Sequence, residues 1–304
     1  GFPLTLFTFA IFGIFRGLQN TFWPMVVAII GAAVNILFDF ILVYGIDGYI
    51  PAMQIEGAAY ASLGAQGLMA LLSLILVLVK TDVSLKLKLP IHPELWRLVG
   101  MALNLFVRTI ALNLALYLAN SFATDYGASY IAAQTILINI WLFSAFFIDG
   151  YAAAGNILAG RFLGAKDYTS LWELSKKLSK YSLIISGGLM LLSAIFYEPL
   201  GLIFSKEPEV ITRFTALFFL VILMQPLNAL AFIFDGIFKG MGEMKYLRNV
   251  LMAATFLGFV PAIFIGDYFG LKLYAVWIAF SVWMMVRSGA LILKFRKRFK
   301  PKVD

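Results

Sequence analysis

The sequence has no cysteine and a single histidine, His92. These absences exclude a disulfide framework, thiolate chemistry, and metal sites built from clusters of Cys or His. Charged residues are also scarce: they make up 13% of the 304 residues, whereas hydrophobic residues make up 62%. A soluble domain usually carries about 25% charged residues, so most of this surface must face lipid. Residues 1–15 have neither the basic start nor the small-residue cleavage site of a signal peptide.

Long hydrophobic runs account for most of the chain. A helix needs about 20 apolar residues to cross the hydrocarbon core, whereas barrel strands would be about 10 residues of alternating polarity. The pattern therefore predicts an all-α integral membrane protein. We expect nine spans, at residues 2–15, 24–45, 56–79, 95–120, 129–159, 171–197, 209–235, 246–266 and 271–293. The first run is short and the chain begins with Gly1 rather than Met, which suggests a cut through a span.

The basic residues lie mostly in the loops on one side of the predicted spans. If the loop after the first span defines one side of the membrane, nineteen of the 24 Lys and Arg residues lie on that side and three on the other. Arg108 and Arg287 lie within spans. Cytoplasmic loops carry the excess of basic residues, so the loops after spans 1, 3, 5 and 7 and the C-terminus are predicted to be cytoplasmic. The net charge of +8 therefore reflects topology, and no nucleic-acid partner is expected.

A five-residue pattern occurs twice. Gly-Ile-Phe-Arg-Gly at residues 13–17 resembles Gly-Ile-Phe-Lys-Gly at residues 236–240, and each copy lies at the end of a predicted span. The first copy ends span one and the second ends span seven, so the repeating unit is six spans and the copies are parallel. Spans four to nine then form one complete six-helix unit. Spans one to three are the last half of another, which predicts twelve spans in all, with three upstream.

These assignments divide the chain into four segments. They are the last three spans of an N-terminal lobe (1–80), a cytoplasmic linker (81–94), a complete six-span C-terminal lobe (95–293) and a basic cytoplasmic tail (294–304). Glu198-Pro199 is predicted to end the sixth span. Pro226 and Pro261 are predicted to kink their helices, because proline removes one backbone hydrogen bond.

Seven parts of the chain carry a resemblance to a known family, at residues 12–21, Pro24, 35–39, 57–62, 146–151, 160–167 and 234–236. Together they resemble the multidrug and toxic compound extrusion (MATE) transporters. The first four are similar to the fourth, fifth and sixth helices of the family, and the last three to the eighth and tenth helices of its DinF-like branch. The resemblance covers essentially the whole chain from a partial fourth helix onward, so the chain is identified as an N-terminally truncated member.

The resemblance implies two six-helix lobes around a central cleft. It also implies export of organic, often cationic or amphipathic, compounds in exchange for H⁺ or Na⁺. The coupling site of the DinF-like branch uses a first-helix aspartate with an Asn-x-x-x-Asp pair and a sixth-helix hydroxyl, which match Asn35, Asp39 and Ser62 here. The first-helix aspartate is not in this chain, which puts coupling by this chain alone in question. The acidic residue that usually follows Gln in the next loop is Asn20 here.

The residues themselves also point to Asp39. An ionised carboxylate within an apolar span is costly and is usually functional. Asn35 lies four residues earlier, so both side chains share one helix face. The carboxylate could carry a proton as access alternates, or could form an oxygen site for Na⁺ with the Asn carbonyl and a Ser hydroxyl. A structural hydrogen bond between helices is the alternative.

Charged and polar residues in the later spans give two further predictions. A lone intramembrane arginine would be costly, so Arg108 is expected to pair with Asp149 or Asp235, either as a static structural lock or as a moving gate. Other polar residues could line a cleft for amphipathic cations or could hydrogen-bond between helices. They are Gln134, Asn139, Asn156, Gln225 and Asn228.

Other functions fit the sequence less well. It contains no His-Glu-x-x-His motif, Gly-x-Ser-x-Gly elbow, Walker loop or carboxylate cluster for Mg²⁺, so neither an enzyme nor an ATP-driven pump is predicted. A lipid-linked oligosaccharide flippase would need several basic residues in its cleft, and only Arg108 and Arg287 are available. A non-functional fragment is a third alternative.

The prediction is therefore a monomeric antiporter of the bacterial-type cytoplasmic (inner) membrane. Its partners are the lipid bilayer and a small-molecule substrate. No cofactor is expected beyond the coupling ion, H⁺ or Na⁺, and no metal beyond Na⁺ at Asp39 and Asn35.

Overall fold

The computed structural model describes residues 1–46, 49–83 and 94–300, and in these ranges the chain is almost entirely helical. A β-bridge between Ile46 and Ile50 is the exception. Eight helices are long and apolar enough to cross a membrane, and the apolar helix Phe2–Gly17 is shorter, at 16 residues. The all-α membrane architecture predicted from the hydrophobic runs is confirmed, and the chain is an integral membrane protein.

The chain divides into two compact units, residues 1–91 and 92–304. The described part of unit 1 contains α1 (Phe2–Gly17), α2 (Phe22–Tyr44) and α3 (Gln54–Lys80). Helices α2 and α3 pack antiparallel, because Gly31 lies against Met69 while Gly57 lies against the backbone of Leu42. A glycine at each point lets two apolar helices approach closely, as is common in membrane helix packing.

The described part of unit 2 contains eight helices and one π-helical segment, Ala254–Phe259, which joins α9 to α10. The helices are α4 (Glu94–Asp125), α5 (Ala128–Gly164), α6 (Tyr168–Ile195), α7 (Tyr197–Phe204), α8 (Pro208–Gly240), α9 (Met244–Ala253), α10 (Val260–Tyr268) and α11 (Leu273–Phe299). Helix α8 is central and packs against α5, α6 and α11. Its buried Phe214 and Phe218 belong to an aromatic core with Trp277, Phe280 and Trp283 of α11.

Two glycines of α8 bring it into backbone contact with α5. A side chain on Gly236 would meet the backbone of Ala152, and a side chain on Gly240 would meet the backbone of Asn156. The two helices therefore run parallel, and residues 236–240, the second copy of the repeat, form a helix-contact motif. Both copies end a helix as predicted, the first at Gly17 and the second at Gly240.

One predicted boundary in unit 2 is wrong. Glu198-Pro199 does not end the sixth span: α6 ends at Ile195, and the pair lies in the first turn of the short helix α7. Proline is tolerated there because the first backbone N–H groups of a helix have no intrahelical partner. Helix α11 continues to Phe299, so residues 294–299 of the predicted basic tail are helical.

Proline has different effects in two helices of unit 2. The π-helical segment ends two residues before Pro261. Proline lacks a backbone N–H and its ring is bulky, so it disturbs the α-helical hydrogen bonds of the preceding turn. Helix α8 continues through Pro226 without interruption. The predicted linker, residues 81–94, falls largely outside the described residues.

Candidate functional site

The predicted coupling site lies in unit 1, on α2. Asp39 is the only charged residue of this helix, and its side chain is partly exposed. Among the described residues, no basic group forms an ion pair with it. Asn35 lies one turn earlier, and its Nδ2 atom is buried without a hydrogen-bond partner in the described part of the chain. Within the described residues, the site therefore combines a carboxylate without a cationic partner with an amide that has unused hydrogen-bonding capacity.

Helix α3 contributes Ser62, which is exposed. Among the described residues, no hydrogen bond joins Ser62 to Asp39 or to Asn35, so the three-residue ion site stays a prediction. Sequence reasoning missed Gln66, which the antiparallel packing brings level with Asn35. Its Oε1 atom is also buried without a partner among the described residues. Gln66 lies one turn after Ser62 in an apolar run, and that spacing could have identified it.

A second site lies in unit 2, where Asp235 is the centre of a buried charge cluster. Its Oδ1 atom accepts a hydrogen bond from Arg108 Nη2 at 2.7 Å and lies 3.1 Å from Arg287 Nη2. Its Oδ2 atom lies 2.8 Å from Lys239 Nζ, one helical turn along α8. Asp235 and Arg287 are 4% and 3% exposed, and Arg108 is 9% exposed. These ion pairs connect α4, α8 and α11, and of the two acids predicted to pair with Arg108, Asp235 makes the contact.

Asp149, on α5, lies at the edge of this cluster. Its side chain is exposed and forms no ion pair within 4 Å in the described structure. Lys239, Asp235 and Arg287 are nevertheless close enough to act on it electrostatically. The structure therefore adds two residues, Arg287 and Lys239, to the predicted network of Arg108, Asp149 and Asp235.

Three of the predicted cleft residues are buried inside unit 2. Gln134, Gln225 and Asn228 are between 0% and 3% exposed, so they line no surface of the unit in this conformation. Gln134 is instead used between helices, where its Oε1 atom accepts a hydrogen bond from Trp277 Nε1 at 2.8 Å. This is the interhelical alternative that the sequence left open.

The other two predicted cleft residues are more accessible. Asn156 is partly exposed, and Asn139 is exposed, with its Nδ2 atom donating to the carbonyl of Thr135 within α5. Asn139 also lies at a cavity of about 820 Å³ between α5, α6 and α7, whose walls include Phe143 and Phe196. Within the described ranges, no group of three or more His, Cys, Asp or Glu residues could hold a metal ion.

Comparison with known proteins agrees with this fold. The MatE family model matches residues 105–264. The chain is 26% identical over 293 residues to Protein DETOXIFICATION 43 of Arabidopsis thaliana, covering 95% of this chain and 53% of the relative. It is 23% identical over 307 residues to DNA damage-inducible protein F of Escherichia coli (strain K12), covering 98% and 64%. The chain thus spans about half the length of the first relative and less than two thirds of the second.

Solved structures show the same architecture. One is described as an outward-facing conformation of a multidrug resistance MATE family transporter of the MOP superfamily. It matches with a TM-score of 0.87 at 21% identity, covering 97% of this chain and 66% of that chain. The resemblance to MATE proteins in the sequence is thereby confirmed, and because the family model matches more than half of its residues, the chain belongs to the MatE family.

Proposed function

We propose that the protein is a secondary active antiporter that exports organic compounds in exchange for H⁺ or Na⁺ by alternating access. The contrast between Asp39 and Asp235 carries this proposal. Asp39 has no cationic partner among the described residues, whereas Asp235 has three. A coupling acid must bind and release a cation in every cycle, so basic side chains cannot neutralise it permanently. We therefore assign coupling to Asp39.

The groups around Asp39 suit either coupling ion. With H⁺, the carboxylate takes up the proton and the Asn35 amide orients it. With Na⁺, a hard cation that prefers oxygen ligands, the carboxylate and the side-chain oxygens of Asn35 and Ser62 are the proposed ligands. Gln66 adds an oxygen that is buried and without a partner in the described residues, so we propose it as a further member of the site.

The proposed substrates are amphipathic organic compounds, including cationic ones. Two observations support this class. A MATE protein with the same fold is described as a multidrug resistance transporter. The cavity beside Asn139 is walled by aromatic and aliphatic side chains, which suits the apolar part of such a compound.

We also propose that a single chain is the working unit. Its location would be a bacterial-type cytoplasmic membrane. The loops after α1, α3, α5 and α8 and the C-terminus would face the cytoplasm, since nineteen of the 24 basic residues lie on that side. The proposal requires no enzymatic step and no cofactor beyond the coupling ion.

Efflux of ethidium from drug-sensitive cells tests the proposal. The protein is expressed from its complete coding sequence, and efflux is followed under an imposed pH gradient or an imposed Na⁺ gradient. Asp39→Asn should abolish gradient-driven efflux without lowering the amount of protein in the membrane. Asp82→Asn is the matched control, because Asp82 is an exposed acid of the same unit outside the spans. Equal efflux by both variants would show that Asp39 does not take part in coupling.

A further inference from the structure

The charge cluster of unit 2 contains more positive charge than its acids neutralise. Arg108, Lys239 and Arg287 all contact one carboxylate, Asp235, and Asp149 is the second acid nearby. Among the residues that the structure describes, the cluster therefore contains three cations and two acids. Uncompensated positive charge inside a membrane protein is costly and commonly marks a functional site.

A fourth cation lies next to this group. Arg248 of α9 donates from Nη1 to Asn104 Oδ1 at 2.8 Å, and Asn104 lies one helical turn before Arg108 on α4. Arg248 also bonds the neighbouring Asn249 side chain, an uncharged partner. The excess of positive charge therefore extends along α4 toward α9.

The donors of the cluster also outnumber its acceptors. Two guanidinium groups and one ammonium group carry about thirteen N–H donors, whereas one carboxylate offers about four acceptor positions. Arg108 shows the mismatch directly: its Nε atom is buried and has no hydrogen-bond partner in the described structure. An acidic group from a ligand would supply both the missing acceptors and the missing negative charge.

One edge of the cluster is open. The side chain of Lys239 is 34% exposed, although the Asp235 side chain beside it is only 5% exposed. Lys239 is the penultimate residue of α8, and the exposed Asp149 lies on the neighbouring helix α5. An incoming anion would therefore meet Lys239 first and the two arginines behind it.

We propose that this cluster is a binding site for an anionic group, a carboxylate or a phosphate. Lys239 supplies the accessible charge. Arg108 and Arg287 supply planar, multiply donating groups that suit both anions. Asp235 is the internal counter-ion, which shares its cations with the ligand when the ligand binds. A free organic acid and the headgroup of an anionic lipid carry the same chemistry, and either can reach a site at the end of a membrane helix.

Equilibrium binding to the purified protein in phosphatidylcholine nanodiscs tests the proposal. The probes are radiolabelled inorganic phosphate and succinate, and no gradient is applied, so a negative result leaves the proposed antiport untouched. Saturable binding of at least one probe is expected, and Lys239→Gln should weaken it about tenfold, the effect of removing one charge-assisted contact. Lys176→Gln is the matched control, because Lys176 is also paired to an acid on its own helix but is more exposed.

A second arm distinguishes the two sources of the anion. Adding phosphatidylglycerol to the nanodiscs should compete with the soluble probes if a lipid headgroup occupies the site, and should leave their binding unchanged if the site takes only free acids. Lys239-dependent retention of phosphatidylglycerol, without binding of the soluble probes, also supports the proposal. Absence of binding of all three probes would overturn it. So would binding that Lys239→Gln and Lys176→Gln affect equally.

Discussion

Gly240 of α8 lies directly against the backbone of Asn156 of α5. A β-carbon at this position would meet backbone atoms, which cannot move aside as a flexible side chain can. Gly240→Ala should therefore destabilise unit 2 by about 1–3 kcal/mol, the usual cost of overpacking a tight contact. Thermal unfolding of the detergent-solubilised protein measures the change. Gly187→Ala on α6 is the control, since a β-carbon there meets nothing within 4 Å. Equal midpoints for the two variants would contradict the close contact.

Substitutions in the charge cluster are expected to differ in how strongly they destabilise the protein. Asp235→Asn leaves three cations together without their shared carboxylate, so it should cost about 3–5 kcal/mol or prevent folding. Lys239→Gln should cost less than about 1 kcal/mol, because this side chain is partly exposed and the ion pair is screened. Protein yield and unfolding midpoints measure both. In a double-mutant cycle, Arg108→Gln should partly restore the stability of Asp235→Asn. A fully stable Asp235→Asn single variant would show that the cluster contributes nothing to folding.

Gln134 provides a test between a structural role and a transport role. Its side chain is fully buried and accepts a hydrogen bond from Trp277. Gln134→Leu should lower stability by about 1–3 kcal/mol, because the indole N–H loses its acceptor. In the Gln134→Leu background, Trp277→Phe should then lower the stability less than it does in the wild-type background. Ethidium efflux per folded molecule should not change. A loss of efflux at normal stability would instead show that Gln134 has a role in transport.

Asp167, which lies outside the spans, is expected to make a pH-dependent contribution to stability. It caps the first turn of α6, and its carboxylate accepts from the backbone N–H of Ser170 at 2.9 Å. Hydrogen bonds from the side chain and the backbone of Ser170 lower the pKa of Asp167 below its usual value. The stabilisation should therefore be complete above the ordinary aspartate pKa and should be lost as the pH falls through the lowered one. Unfolding midpoints across acidic pH should show this loss for the wild type and a smaller one for Asp167→Asn, which keeps a capping oxygen.

Much of the architecture follows from the sequence because the bilayer imposes a simple length rule. Each predicted span overlaps mainly with one observed helix, or with a helix pair joined by a π-segment, and the glycine repeat ends both α1 and α8. Helix α7 was missed because Glu198-Pro199 has the composition of a helix end. Proline is equally compatible with a first helical turn, and only the packing of the chain distinguishes the two.

The sites were less predictable from the sequence than the helices. The expectation that Arg108 needs an acidic partner follows from the cost of a lone buried charge, and Asp235 supplies that partner. Arg287 and Lys239 were missed because sequence distance does not reveal that α4, α8 and α11 meet at one carboxylate. Lys239 was counted only as a marker of topology, although it lies one turn from Asp235 on the same helix. That spacing was available in the sequence.

The central claim is that coupling belongs to Asp39 and that Asp235 serves the buried cluster. Its most direct test is reconstitution of the complete protein in proteoliposomes, with simultaneous measurement of ethidium uptake and of H⁺ or Na⁺ movement. Wild-type protein and Asp82→Asn should move the dye against one of the two ions. Asp39→Asn should show no ion movement coupled to the dye and no gradient-driven accumulation. Full coupled exchange by Asp39→Asn would contradict the account.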